Sequence, residues 1–156
     1  MFQFRVVKYS AEEREGSAPA WTAISDIGLS FGGEVLTEVE YLATEERYLA
    51  AVRRFAEVQG VAGLRVDGLE VHPGSPWWQR VADGEWLALD EAIELIRSVL
   101  REEFVWCRFL GDGDFFVHIG YDFYMYIGLA AEPEQAVRDV RASGLNVDEF
   151  ESPYLT

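Results

Sequence analysis

The feature that most constrains the fold is the aromatic-rich stretch 104–129, which reads FVWCRFL, GDGD, FFVHI, GYD and FYMYIGL in turn. Three segments alternate residue by residue, and short Gly- and Asp-containing turns separate them. Such alternation between turn signals is typical of antiparallel strands joined by hairpins. The stretch therefore predicts a three-stranded meander.

The two faces of this meander differ in chemistry. Because successive side chains of a strand point to opposite sides, one face carries aliphatic and phenyl groups, and we expect it to be buried against helices. The set expected in the core is Phe115, Val117, Ile119, Phe123, Met125 and Ile127. The opposite face carries hydroxyl-bearing rings and an imidazole, from Phe116, His118, Tyr124 and Tyr126. We predict an amphipathic aromatic surface there.

The clearest helix begins after Thr37. Thr37 and Glu40 have the spacing of a capping box, and Gly60 is suited to end the helix after Gln59. The apolar residues at helical spacing predict a buried stripe of Val39, Leu42, Leu49, Val52 and Phe55 or Ala56, with Tyr41 and Tyr48 beside it. The acidic residues Glu38, Glu40, Glu45 and Glu46 are expected on the solvated outer side.

The remaining elements complete an α+β fold. Phe2 to Tyr9 predicts a first strand, LRVDGLEV a hairpin turning at Asp67-Gly68, and LDEAIELIRSVLREE a second helix. EPEQAVRDVRASG predicts a third helix, and LNVDEFESPY an edge strand. We expect one domain spanning residues 1–156, with a mostly antiparallel sheet, a C-terminal meander and about three helices packed on one face.

Net charge narrows the range of partners. The sequence has 28 Asp and Glu against 13 Lys and Arg, which gives −15 at pH 7. Such a field repels nucleic acids and anionic membranes and accelerates encounter with a basic partner, although it also serves plain solubility. The N-terminus has no signal-peptide pattern and no apolar run is long enough to span a bilayer, so we expect a cytoplasmic protein.

Catalytic patterns are not found in the sequence. His72 and His118 lie in unrelated contexts, and Cys107 is the only cysteine, within a strand. No nucleophile–base, phosphate-loop, dinucleotide or metal-ligand motif occurs, so we expect no catalytic residue, no metal and no cofactor. The sequence predicts a binding protein rather than an enzyme.

Three stretches carry a resemblance to a known family. The first is RVVKYSAEEREGSAPAWTAISDIGLSFGGEVLTEVEYLATEERYL, the second is FFVHIGYDFYMYIG, and the third is SGLNVDEFESPY. Together they cover more than half of the chain, and they resemble a bacterial immunity-protein family linked to polymorphic and contact-dependent toxins. The segment HPGSPWWQRVADGEW has no counterpart in that pattern.

The resemblance implies an antitoxin that binds and neutralises the toxin domain of its own system, which is often a basic nuclease. From the rings and carboxylates we predict Tyr124, Tyr126, Asp122 and Trp78 as the partner-binding residues, and we favour a monomer. The alternative is a small-ligand or carbohydrate-binding module without catalysis, for which exposed rings around a concave pocket would be expected. A third alternative, a structural subunit, predicts a large apolar patch and an obligate dimer.

Overall fold

Nine β-strands and three α-helices form the part of the chain that the computed structural model describes, residues 1–9, 23–31 and 33–155. The strands are β1 Phe2–Val7, β2 Ser30–Phe31, β3 Glu34–Val35, β4 Gly63–Val71, β5 Trp86–Ala88, β6 Val105–Leu110, β7 Phe116–Ile119, β8 Met125–Leu129 and β9 Asn146–Glu149. The helices are α1 Glu38–Gln59, α2 Leu89–Leu100 and α3 Glu134–Ala142.

Seven of the strands form one antiparallel sheet in the order β5-β4-β6-β7-β8-β1-β9, and β2 pairs with β3 in a separate small hairpin. The meander β6-β7-β8 is confirmed, with Val117 opposite Phe109 and Ile127. The first strand, β1, lies between β8 and β9, so the two ends of the described chain meet in the sheet. The predicted edge position of the last strand is also confirmed.

The core lies between one face of the sheet and the three helices. Alternate residues of each central strand are fully buried on this face, including Cys107, Val117, Ile119, Met125 and Ile127. Helix α1 contacts both α2 and α3, and α2 packs on β4 and β6. The predicted α+β class, with helices on one face of a mostly antiparallel sheet, is therefore confirmed.

Helix α1 begins and ends where the sequence predicts. Thr37 Oγ1 accepts a hydrogen bond from the Glu40 N–H, and Gly60 adopts the left-handed conformation with φ 73°. The buried stripe is rotated, however. Tyr41 and Tyr48 are buried, whereas Val39 and Leu42 are exposed. The prediction that Val39 and Leu42 are buried is therefore wrong, because the rings of Tyr41 and Tyr48 occupy the buried side of the helix.

Glu45 is buried, contrary to the prediction of a solvated outer side. Its side chain is 1% exposed and accepts hydrogen bonds from Arg97 at 2.7 Å, Arg101 at 2.8 Å and the Tyr41 hydroxyl at 2.9 Å. Burial raises the pKa of Glu45, but the hydrogen bonds from Arg101, Arg97 and Tyr41 outweigh it and lower the pKa overall. The ionised Glu45 carboxylate therefore links α1 to α2 through its hydrogen bonds to Arg97 and Arg101.

The predicted hairpin at Asp67-Gly68 is wrong. β4 runs without a turn from Gly63 to Val71, and its pairing with β6 shifts register between Asp67 and Glu70. Gly68 has φ 67°, the conformation of a glycine at a β-bulge. Because both halves of β4 pair with the same neighbour, the Asp-Gly pair bends the strand and does not reverse it.

The second face of the sheet is partly covered by the C-terminal residues 150–155. Ser152 is buried, its N–H donates to Gln3 Oε1, and Tyr154 packs over Trp106 and Tyr126 with ring centroids 5.9 Å apart in each case. The amphipathic ring face predicted from the meander therefore has a lid formed by its own chain. Phe116 and His118 are buried beneath it.

Other predictions fall at the edge of the described region or outside it. The polar segment SAEEREGSAPA, whose Gly and Pro predict a loop, lies outside the described residues, as do Trp21 and Thr22. The sequence WTAISDIG suggests a short extended piece that ends at a turn, but Ile24–Asp26 forms a single 3-10 turn. Among the helices of the described residues, none has the length and apolar character needed to cross a membrane.

Candidate functional site: an aromatic pocket with an acidic rim

One concave pocket lies where three segments converge: the end of β4, the α2–β6 connection and the β7–β8 turn. Its lining residues are Glu70, His72, Val99, Glu102, Phe104, Val105, Trp106, Ile119, Gly120, Tyr121 and Phe123. Its volume is about 210 Å³. Apolar side chains form its floor, and rings and carboxylates form its rim.

The α2–β6 connection is set by the way α2 ends. The Glu103 N–H donates to the Ser98 carbonyl and the Glu102 N–H to the Val99 carbonyl, which is the pairing of a Schellman motif. Glu102 therefore occupies the left-handed position, with φ 55°, where glycine is favoured. A carboxylate stands on the pocket rim at a backbone position that costs about 1 kcal/mol for a non-glycine residue.

The β7–β8 turn also places a non-glycine residue in the left-handed conformation. Gly120 and Tyr124 close a three-residue loop through the Gly120 N–H to Tyr124 carbonyl bond of 2.8 Å. Phe123 takes the left-handed position, φ 64°, that glycine usually fills in such hairpins. Phe123 was predicted to be a buried strand residue, but it is half-buried in the turn because β8 begins only at Met125.

Backbone strain is concentrated at the pocket. Of the five non-glycine residues with positive φ in the described chain, three line it: Glu102, Phe104 and Phe123. Each costs about 1 kcal/mol or more, and such conformations occur both in tight turns and at ligand-binding and active sites.

The rim of the pocket exposes large rings to solvent. Tyr121 is 72% exposed and Phe104 63% exposed. Trp106 is half-buried, stacks on Tyr121 with centroids 5.9 Å apart and an interplanar angle of 16°, and donates its indole N–H to the Ile119 carbonyl at 2.8 Å. The Trp106 ring is thus fixed in orientation, whereas the two exposed rings flank an open space.

The polar part of the rim consists of two carboxylates and the exposed imidazole of His72. Glu70 lies opposite Trp106 across the β4–β6 pair, and Glu70 and Glu102 are both exposed. Within the described residues neither carboxylate has an ion-pair partner, and no Arg or Lys lines the pocket. The site therefore presents uncompensated negative charge next to aromatic faces.

Two larger depressions, of about 360 and 470 Å³, lie along the helices. Their walls carry charges that are already paired, such as Arg97 with Glu46 and Glu94, and Arg54 with Asp139. Although they are larger, these depressions offer no cluster of exposed rings. The exposed rings and unpaired carboxylates therefore favour the smaller pocket as the candidate site.

Two of the predicted partner-binding residues lie beside this pocket. Asp122 is exposed in the β7–β8 turn, where its Oδ1 accepts the Tyr124 N–H at 3.1 Å. Tyr124 is half-buried next to the Arg5 guanidinium, 5.2 Å from the ring centroid. Both residues border a second small hollow with Tyr48 and Phe123.

The other two predicted residues lie apart from it. Tyr126 is only 4% exposed, and burial raises the pKa of its hydroxyl to about 12. A ring covered by Tyr154 cannot contact a partner unless the C-terminal residues move, so we do not retain it in the candidate surface. Trp78 is 41% exposed and does not line the pocket, whereas Trp77 is buried with its indole N–H on Ser98.

His118 makes a close contact with a hydroxyl. Its Nδ1 lies 2.7 Å from Ser152 Oγ, and its ring stacks on Phe116 with centroids 4.3 Å apart. Both groups are buried, and Ser152 Oγ also accepts the Tyr154 N–H at 3.2 Å. Burial and the Arg108 charge lower the pKa of His118 to about 4. The pair holds the C-terminal residues on the sheet, and neither residue lines the aromatic pocket.

The remaining groups of chemical interest are Cys107 and the potential metal ligands. Cys107 is fully buried in β6, and burial raises the pKa of its thiol. The described residues contain no group of three or more His, Cys, Asp or Glu side chains arranged to hold a metal ion.

Sequence reasoning missed Phe104, Tyr121, Glu70 and Glu102 as site residues. The available signals were the Glu-Glu-Phe segment that follows α2 and the position of Tyr121 in the predicted GYD turn. No protein-family model, curated protein or solved structure matches this chain.

Proposed function

We propose that the chain is an immunity protein that binds a basic bacterial toxin domain and neutralises it, using the face around the aromatic pocket. One observation supports this best: exposed Phe104 and Tyr121 rings stand beside two unpaired carboxylates in a chain of net charge −15. Aromatic anchors surrounded by charge are characteristic of protein interfaces, and acidic groups steer a basic partner into contact.

The proposed interface includes the pocket rim and the neighbouring turn. Phe104, Tyr121, Glu70 and Glu102 form its centre, and Asp122 and Tyr124 extend it towards β1. Trp78, in the loop after β4, is a separate candidate contact. In this proposal the protein acts by occupying the toxin's basic surface, and it needs no catalytic group, metal or cofactor of its own.

The proposal is tested by identifying the partner and measuring its binding. Partners are captured from the native host on the immobilised chain, and the captured domain is then expressed in sensitive cells with and without this chain. We expect growth to be restored by the chain. We also expect the association rate to fall with salt, because screening shortens the Debye length to about 8–10 Å near physiological ionic strength. A neutral or acidic partner, or an association rate indifferent to salt, contradicts the electrostatic mechanism.

The concave, ring-lined pocket is also what a small-ligand or carbohydrate-binding module would show. Its volume of about 210 Å³ lies below the range of about 300–1,000 Å³ that is usual for ligand sites. A pocket of this size suits one side chain better than a sugar chain. Saturable binding of a mono- or oligosaccharide, detected by calorimetry at the wild-type pocket and lost in Tyr121→Ala, would favour the alternative.

A further inference from the structure

Building on the proposed function, we propose that the pocket receives one arginine side chain of the partner. The guanidinium lies against the rings of Trp106, Tyr121 and Phe104 and pairs with the carboxylates of Glu70 and Glu102. This assigns the pocket as the anchor point of the interface and arginine as the residue that the partner supplies.

The small size of the pocket suits a single side chain. Its volume of about 210 Å³ lies below the range of about 300–1,000 Å³ that is usual for small-molecule sites, and the apolar floor formed by Val99, Val105 and Ile119 suits an aliphatic stem. Arginine carries such a stem and places its charge at the tip, where the carboxylates stand. Buried side chains in pockets of this kind provide most of the energy of many protein interfaces.

The walls favour a planar cation. A guanidinium stacks on aromatic faces and forms paired hydrogen bonds with carboxylates, whereas an ammonium is a compact, strongly hydrated charge. The exposed rings of Tyr121 and Phe104 provide aromatic faces, and Trp106 is held in place through its indole N–H on Ile119. An anion would meet two carboxylates with no Arg or Lys among the described lining residues.

Three arginines of the neighbouring elements α2 and β6 are paired with other carboxylates, and none of them lines the pocket. Arg97 and Arg101 bind Glu45, and Arg108 pairs with Asp67 at 2.6 Å on the far side of Trp106 along β6. Glu102 occupies a left-handed position that glycine would occupy with less strain. We therefore expect the substitution Glu102→Gly to remove the charge without destabilising the fold, so any loss of binding can be assigned to the carboxylate.

The first experiment tests the pocket without the partner. The probes are N-acetyl-arginine methylamide and its uncharged, nearly isosteric citrulline analogue, each titrated into the isotope-labelled chain and followed by NMR. We expect saturable shifts of the Trp106 indole N–H and the Tyr121 amide with the arginine probe, and binding at least about tenfold weaker with citrulline. Equal binding of the two probes, or no saturable shift at these positions, overturns the inference.

The second experiment compares matched variants with the same probes. Glu102→Gly and Glu70→Gln should each weaken arginine binding several-fold. Glu34→Gln, which removes one exposed charge from the β2–β3 hairpin, should leave it unchanged. Circular dichroism melts show that every variant remains folded. If Glu34→Gln weakens binding as much as the pocket variants, the effect is one of net charge, and the proposed site is wrong.

The third experiment separates this inference from the proposed function. With a captured toxin domain, Glu102→Gly should raise the dissociation rate at least about tenfold, and Glu34→Gln should leave it unchanged. Full neutralisation with an unchanged dissociation rate in Glu102→Gly would overturn the arginine pocket and leave the inhibitor function standing. Arginine-selective binding in the absence of any basic partner would leave the pocket standing and overturn the inhibitor function.

Discussion

The buried His118 predicts that this protein loses stability in mild acid. The imidazole is 1% exposed, with Ser152 at its Nδ1, Phe116 stacked on its face and Tyr154 at its edge. The groups that face it from the packed elements are Arg108 from β6, Asp67 from β4, Tyr126 from β8 and Tyr154 from the C-terminal residues. Protonation would place a buried cation next to the Arg108 guanidinium.

The magnitude follows from the pKa of His118, which burial and Arg108 lower from 6.5 to about 4 in the folded state. The unfolded chain takes up the proton near pH 6.5, whereas the folded chain takes it up only near pH 4. Stability from this group is therefore fully present above pH 6.5 and is lost as the pH falls towards 4. At about 1.4 kcal/mol per tenfold change in proton affinity, the loss is about 2 kcal/mol by pH 5 and about 3 kcal/mol by pH 4.

The assay compares the wild type with His118→Asn by urea unfolding at several pH values, followed by tryptophan fluorescence. Asparagine keeps a polar group near Ser152 and has no proton to gain in this range. Carboxylates also titrate as the pH falls, but both proteins share them, so the difference between the two pH profiles isolates His118. We expect the free energy of unfolding of the wild type to fall by about 2 kcal/mol more than that of the variant between about pH 7.5 and pH 5.

Parallel profiles for the two proteins would refute this reasoning, since they would show that His118 takes up a proton equally well in the folded and unfolded states. An NMR titration of the imidazole gives a direct check. A folded-state pKa near 6.5 for His118 would mean that water or a charge partner reaches the ring. In that case the C-terminal residues would not form the lid described above.

Three further predictions concern the core, the ion pairs between α1 and α2, and the pocket rim. Ile127→Ala should lower the free energy of unfolding by about 2–5 kcal/mol because the side chain is fully buried. Val39→Ala, on the exposed side of α1, should change it by less than about 0.5 kcal/mol. Similar losses for both variants would contradict the exposed position of Val39 on α1. Glu45→Gln should lower the free energy of unfolding by about 2–3 kcal/mol, which is somewhat less than for a fully buried ion pair because the arginine partners reach solvent. Glu46→Gln should lower it by less than about 1 kcal/mol. Equal effects of the two substitutions in chemical denaturation would show that Glu45 is hydrated. Glu102→Gly should raise the free energy of unfolding by about 0.5–1 kcal/mol, and a loss of stability would show that Glu102 makes a contact that holds its strained backbone in place.

Local chemistry in the sequence was sufficient to place most elements. The Thr37 cap and the Gly60 stop define α1 to the residue, because both act through hydrogen bonds and backbone angles within one helical turn. The alternation in 104–129 gave the meander, since side-chain direction along a strand depends only on neighbouring residues.

Features that depend on distant partners were not predictable in this way. Asp67-Gly68 is a strong turn signal, but β6 pairs with the strand on both sides of it, and the turn becomes a bulge. Glu45 looks like a surface residue until Arg97 and Arg101 approach from α2. Whether a glutamate is solvated or buried is decided by a partner some fifty residues away, and no local pattern contains that information.

The candidate site lies between these two cases. The sequence by itself determined its ingredients, an acidic chain with an aromatic meander, and from these came the hypothesis of a basic partner. Only the tertiary structure decided which rings are available, because the C-terminal residues cover Tyr126, whereas Tyr121 and Phe104 from separate loops converge beside Glu70. The physical reason is that local composition sets the charge and periodicity of a surface, whereas long-range pairing of strands and helix ends sets which side chains share it.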